Sequence, residues 1–104
     1  MAGYLSIGKI VAVHGLKGEI LLQHELGKKT SLKGLQAIFI EDKKDSFIPW
    51  FIESTTIKSD EEIYLKLEGI DTREAASKLT RKKIWLPETD YKKNAIMSII
   101  FAKV

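Results

Sequence analysis

His14 and His24 are the only imidazoles in this sequence, so proton-transfer chemistry would have to be built on one of them. A serine nucleophile needs a base, most often histidine, that a third group holds in place. The two histidines stand at opposite ends of one expected strand, which keeps them apart, and no Gly-x-Ser-x-Gly elbow occurs. The run Gly27-Lys28-Lys29-Thr30 has the flavour of a phosphate-binding loop, but that motif requires glycine where Leu22 stands. Aspartates and glutamates concentrate in expected turns, where a solvated charge is the ordinary explanation. No His/Asp/Glu group has metal-ligand spacing. The chain has no cysteine, which excludes disulfides, zinc ribbons, iron–sulfur sites and thiol nucleophiles. No catalytic, metal-binding or cofactor-binding residue is therefore expected, and the chain is not expected to be an enzyme or to take a small-molecule substrate.

Binding is the better use of these residues. His14-Gly15-Leu16-Lys17-Gly18 places two glycines around a short polar and apolar tip. Glycine reaches positive φ at little cost, so one reading is a hairpin turn that merely satisfies its backbone. The other is a loop that presents His14 and Lys17 to RNA or protein. The basic clusters are Lys28/Lys29/Lys33, Lys43/Lys44 and Arg81/Lys82/Lys83. Lys43 and Lys44 lie between Asp42 and Asp45 and read as a solvated turn. Arg81, Lys82 and Lys83 follow the one expected helix, where either an anionic partner or the helix dipole explains them. Phe47, Trp50, Phe51 and Trp85 could stack on bases, but without regular basic interleaving they are expected in the core.

The elements that must position these residues are mostly strands, because the dominant apolar period is two. Strands are expected over Ile7–Val13, Glu19–Leu26, Leu35–Ile40, Ser46–Thr56, Ile63–Leu67 and Ile84–Leu86, with Glu41–Asp45 as a charged turn. Pro49 inside the fourth run suggests an edge, a bulge or a barrel corner. Ile63, Leu65 and Leu67 alternate with Tyr64, Lys66 and Glu68, the mark of a half-buried strand. A short helix is expected from Asp71, capped by Asp71 with Glu74 and ending near Lys82, with Ala75, Ala76 and Leu79 buried. Many short strands and one helix point to an all-β fold, a small closed barrel. Ser98–Val104 is again apolar and β-like.

With 104 residues, 44% of them hydrophobic, one domain and one core are expected. The net charge of +3, from 17 basic and 14 acidic residues, permits nucleic-acid contact without demanding it. No stretch approaches the roughly 20 apolar residues of a membrane helix, so no membrane partner is expected. The N-terminus lacks a basic segment followed by an apolar block, so no secretory leader is expected and the cytoplasm is the default location.

Ile7-Gly8-Lys9-Ile10-Val11-Ala12-Val13-His14-Gly15-Leu16-Lys17-Gly18-Glu19-Ile20 resembles the opening signature of the RimM family of ribosome maturation factors. Leu65–Ala76, with Gly69-Ile70-Asp71-Thr72-Arg73-Glu74-Ala75-Ala76 and the following Leu79, resembles its second block. Ile84-Trp85-Leu86-Pro87 resembles the strand that closes its first barrel. The resemblance implies a six-stranded antiparallel barrel of the kind found in translation factors, over residues 1–90. It implies assistance to 16S rRNA processing and to assembly of the 30S head, through binding of the immature small subunit and ribosomal protein S nineteen. Under it the contact candidates are Lys9, His14, Lys17, Arg73, Arg81 and Lys82, with Gly8, Gly15, Gly18 and Gly69 as structural glycines.

Residues 91–104 are then expected to be a linker and the first strand of a shortened C-terminal PRC-type barrel. That strand could also pair with a second copy to give a dimer. The linker reads Tyr91-Lys92-Lys93-Asn94-Ala95-Ile96-Met97, without the aromatic and acidic stretch common in the family. The main alternative function is a generic RNA-binding barrel of OB or SH3-like type.

Overall fold

In the computed structural model, the described residues are 3–27, 32 and 35–89. The expected linker, its apolar strand and the dimer contact they would make lie outside these. Six strands form: β1 (Tyr4–His14), β2 (Glu19–His24), β3 (Ala37–Lys43), β4 (Ser46–Ile57), β5 (Glu62–Leu67) and β6 (Lys83–Pro87). One helix, α1 (Arg73–Ser77), lies between β5 and β6. The strands close into an antiparallel barrel in the order β1-β2-β5-β4-β3-β6, with β6 returning to β1. The expected all-β closed barrel with one short helix is what forms.

The interior follows from alternation. Ile63, Leu65 and Leu67 of β5 all point inward and are fully buried. Ile7, Ile10, Ile20, Leu22, Ile38, Ile40, Ile84 and Leu86 join them, and Ile70, Ala76 and Leu79 close over one side. Every described member of this core is Ile, Leu or Ala. Leu32, from the run that carries Lys28, Lys29 and Lys33, is also buried in it, with a φ of 56°.

The aromatic residues are a correction. Ile84 and Leu86 occupy the inward positions of β6, so Trp85 faces out. It meets Phe47 with ring centroids 5.2 Å apart, while Tyr4 stacks on Phe47 at 4.4 Å and packs edge-on to Phe39 at 5.2 Å. Trp50 packs against the core from its rim, and Phe51 is 52% exposed. A six-stranded barrel has a narrow interior that aliphatic side chains fill, so the rings clad the outside instead. Most of them pack on one another and present few open stacking faces.

Three boundaries also shift. β3 runs to Lys43, so the hairpin turn contracts to Lys44 and Asp45, where Asp45 N–H donates to Glu41 Oε2 at 2.9 Å and φ is 64°. Pro49 lies opposite Phe39 in the stretch of β4 that pairs with β3 alone; pairing with β5 begins only at Ile52, so its missing N–H disrupts no second ladder. The helix ends at Ser77, not near Lys82, and Thr72 caps it: Ala75 N–H donates to Thr72 Oγ1 at 3.1 Å. Asp71 accepts instead from Lys66 Nζ at 2.8 Å.

His24 ends β2 and is 2% exposed, opposite Gly8. Its Nδ1 accepts from the Leu26 N–H at 3.3 Å, which leaves the proton on Nε2. That nitrogen is buried without a hydrogen-bond partner among the described residues. Burial pushes the imidazole below its ordinary pKa, and the Glu61 carboxylate only partly opposes this. The unfolded chain therefore takes up the proton first, and stability is complete above about pH 6.5 and falls below it. Melting followed by circular dichroism should show a drop between pH 7 and pH 5.5 that is smaller in His24→Asn. Parallel curves for both proteins would refute this account.

Candidate contact loop and basic seam

The loop between β1 and β2 is fixed by its far neighbours in sequence. Gly15 and Gly18 both have positive φ, at 71° and 94°. Gly18 is buried against the turn after β5: a Cβ there would collide with the carbonyl oxygen of Ile70. Gly69 has φ 86° in that turn. Arg73, the first residue of α1, donates from Nη1 to the Gly15 carbonyl oxygen at 3.1 Å. Thr72, Gly18 and Arg73 thus tie loop, turn and helix together. Arg73 engages the loop backbone and not Asp71 or Glu74, so it positions the loop.

What the loop displays follows from this anchoring. Leu16 at its tip is 78% exposed and Lys17 is exposed beside it. The His14 ring packs on Tyr64 at a tilt of 33°, ring centroids 4.2 Å apart, and its Nε2 lies 4.0 Å from Glu19 Oε1. Lys58 Nζ lies over the Tyr64 ring, 5.9 Å from its centre. Beneath the loop, Lys66 binds Asp71, and its ammonium is held above the ordinary lysine range by that hydrogen bond, against the effect of burial.

The other predicted residues lie along a different line. Lys9 is exposed in mid-β1, opposite Gln23 on one side and Lys83 on the other. Arg81 N–H donates to the Ile10 carbonyl at 2.6 Å, and Ile10 N–H donates to the Lys82 carbonyl at 2.9 Å. The run 81–83 therefore follows β1 closely. Arg81 is exposed with φ 71°, whereas Lys82 is half-buried and lines a groove of about 200 Å³ with Trp50, Ile48 and Leu79. Gly8 sits where a Cβ would strike the Gln23 carbonyl of β2. The structure thus gathers His14, Lys17 and Arg73 at the loop, and Lys9, Arg81 and Lys83 along the seam of β1 and β6. Lys82 turns aside. Sequence reasoning passed over Leu16 and the Tyr64 platform, and it named Lys83 only within a run. No local signal could place Lys83 opposite Lys9. Among the described residues, no cluster of three His, Asp or Glu side chains could hold a metal ion.

Fold and site together define a small closed antiparallel barrel that presents a loop locked to a short helix. The sequence model of the RimM N-terminal domain matches residues 5–91. The chain is 35% identical over 79 residues to the ribosome maturation factor RimM of Caldanaerobacter subterraneus, covering 76% of this chain and 47% of that one. It is 33% identical over 90 residues to the RimM of Oleidesulfovibrio alaskensis, covering 86% of this chain and 49% of that one. The chain therefore belongs to the RimM family of ribosome maturation factors, and it spans about half the length of the curated relatives it matches. The solution structure of the N-terminal domain of RimM from Thermus thermophilus superposes with a TM-score of 0.66 at 22% identity, over 84% of this chain and 92% of that one. A RimM crystal structure from Pseudomonas aeruginosa gives 0.68 at 23% identity, over 83% and 51%. These likenesses establish the shared fold.

The loop geometry sets a test. A β-branched residue at a left-handed position costs about 1–3 kcal/mol in strain. Gly15→Val should lose about that much in urea unfolding, since its Cβ has open space. Gly18→Val should lose more, because its side chain also meets the Ile70 backbone. Unchanged melting in both variants would reject the anchoring described here.

Proposed function

We propose that this chain assists 16S rRNA processing and assembly of the 30S head by binding the immature small subunit in the cytoplasm, with 16S rRNA and ribosomal protein S nineteen as its partners. It acts as a binding module without chemistry of its own. Residues 1–90 form the module, and residues 91–104 serve as linker and the start of a second, PRC-type barrel. Membership of the RimM family supports the process, because the relative from Caldanaerobacter subterraneus is named a ribosome maturation factor and the solved relative from Pseudomonas aeruginosa a putative 16S ribosomal RNA processing protein.

The observation that carries the reading is the loop from His14 to Gly18. It is held from behind by Arg73 and Ile70, while Leu16 and Lys17 face outward. A loop held in one conformation loses little entropy when a partner docks. An exposed leucine beside a lysine suits a mixed protein and RNA surface, such as a ribosomal subunit offers.

Co-sedimentation with free small subunits tests it. The chain should pellet with them, and the double variant Leu16→Ala, Lys17→Glu should bind about tenfold more weakly, a change of roughly 1.4 kcal/mol. Arg73→Ala should weaken binding less, because it loosens the loop without removing a contact. A well-folded chain that stays in the supernatant at low salt would overturn the reading.

A further inference from the structure

The antiparallel register sets Lys9 of β1 directly opposite Lys83 of β6. Like charges facing each other across a strand pair destabilise it. Two ordinary excuses for such an arrangement fail here. Lysines on strands often guard an open sheet edge, but β1 is bonded to β2 and β6, and β6 to β1 and β3, so there is no edge at this seam. Nor is the charge neutralised. Neither lysine has an ion pair among the described residues, and Lys9's other neighbour is Gln23. The acid beyond it on that row, Glu62, is engaged by Lys58 at 3.7 Å and by the Ser59 hydroxyl at 3.2 Å. Arg81, also exposed, follows close by, its backbone N–H bonded to the Ile10 carbonyl.

We infer that this seam, centred on Lys9 and Lys83, is a contact site for the sugar-phosphate backbone of an RNA strand. A row of uncompensated cations matches a polymer that carries a regular row of anionic groups. The adjoining open cleft, about 930 Å³, narrows the choice. Lys9, Lys83, Ser6 and Gln23 line it, but so do Glu25, Asp60 and Glu61. Those carboxylates find no hydrogen-bond donor on the acidic side chains of a peptide. They can instead accept hydrogen bonds from ribose 2′-hydroxyls, the groups that distinguish RNA from DNA. The inference rests on the subunit-binding reading only in supplying an RNA to meet. The site is separate from the loop.

Fluorescence anisotropy of the full chain with a mixed-sequence single-stranded RNA, and with DNA of the same sequence, tests the assignment at several salt concentrations. Lys9→Gln and Lys83→Gln should each weaken RNA binding several-fold and lower the salt slope by about 0.7. Each should also hold or raise the melting temperature at low salt, since the repulsion is relieved. A residue with a purely structural role would not give that pairing. Lys43→Gln, at the β3–β4 hairpin, should change neither. An unchanged slope in the double variant would overturn the site, as would equal affinity for DNA or no RNA binding at low salt. If the double variant loses small-subunit co-sedimentation yet keeps its RNA binding, the seam contacts protein: the RNA assignment falls and subunit binding stands.

Discussion

Five residues hold the barrel shut. Lys83–Pro87 pair with β1 along one side and with β3 along the other, and without them the sheet would open between the first and third strands. That closure decides where nearly every other side chain goes. It fixes Ile84 and Leu86 inward and Trp85 outward. It brings β3 beside β6, so that Phe39 comes opposite Trp85. Closure also removes open edges, which a chain this short could otherwise cover only with charge or bulges.

The aromatic cladding follows from the same constraint. Tyr4, Phe39, Phe47 and Trp85 come from four strands, and three of those strands meet only because the barrel closes. Stacked and edge-on ring pairs are each worth about 0.5–1.5 kcal/mol beyond burial. A second, smaller layer of packing is thus placed across the joint where the ends of the sheet come together. It reinforces the shortest strand in the barrel from outside while the aliphatic core supports it from within.

Much of the fold was legible because period-two patterning is a local signal. Ile63, Leu65 and Leu67 announced both a strand and its inner face. β4 was less readable, since Phe47, Ile48, Trp50, Phe51 and Ile52 are apolar on both sides, and only pairing with β3 and β5 decides which side is inner. The helix cap was misplaced by one residue because Asp71 and Thr72 can both cap. The tie-breaker is Lys66, whose ammonium takes the aspartate and leaves the threonine to the helix. Of the candidate site, the glycine loop was visible as a loop. Its anchoring was not, because Arg73 reaches Gly15 across 58 positions of sequence.

β1 is what relates the loop to the seam. It pairs with β2 and β6 at once, and its register against each is broken by a bulge, between Ile10 and Ala12 on the β2 side and between Ser6 and Gly8 on the β6 side. Such bulges bend a strand and increase its twist. Lys9 lies between the two breaks, and His14 ends the strand beyond the second. Both side chains face outward, about five residues or roughly 17 Å apart along the strand. One bent strand therefore carries an uncompensated lysine in its middle and a locked loop at its end. The two surfaces keep a fixed spacing, because the β1–β2 ladder that joins them is the same ladder that walls the core. A partner that engages both must match that spacing, and this selects for extended surfaces over small ligands.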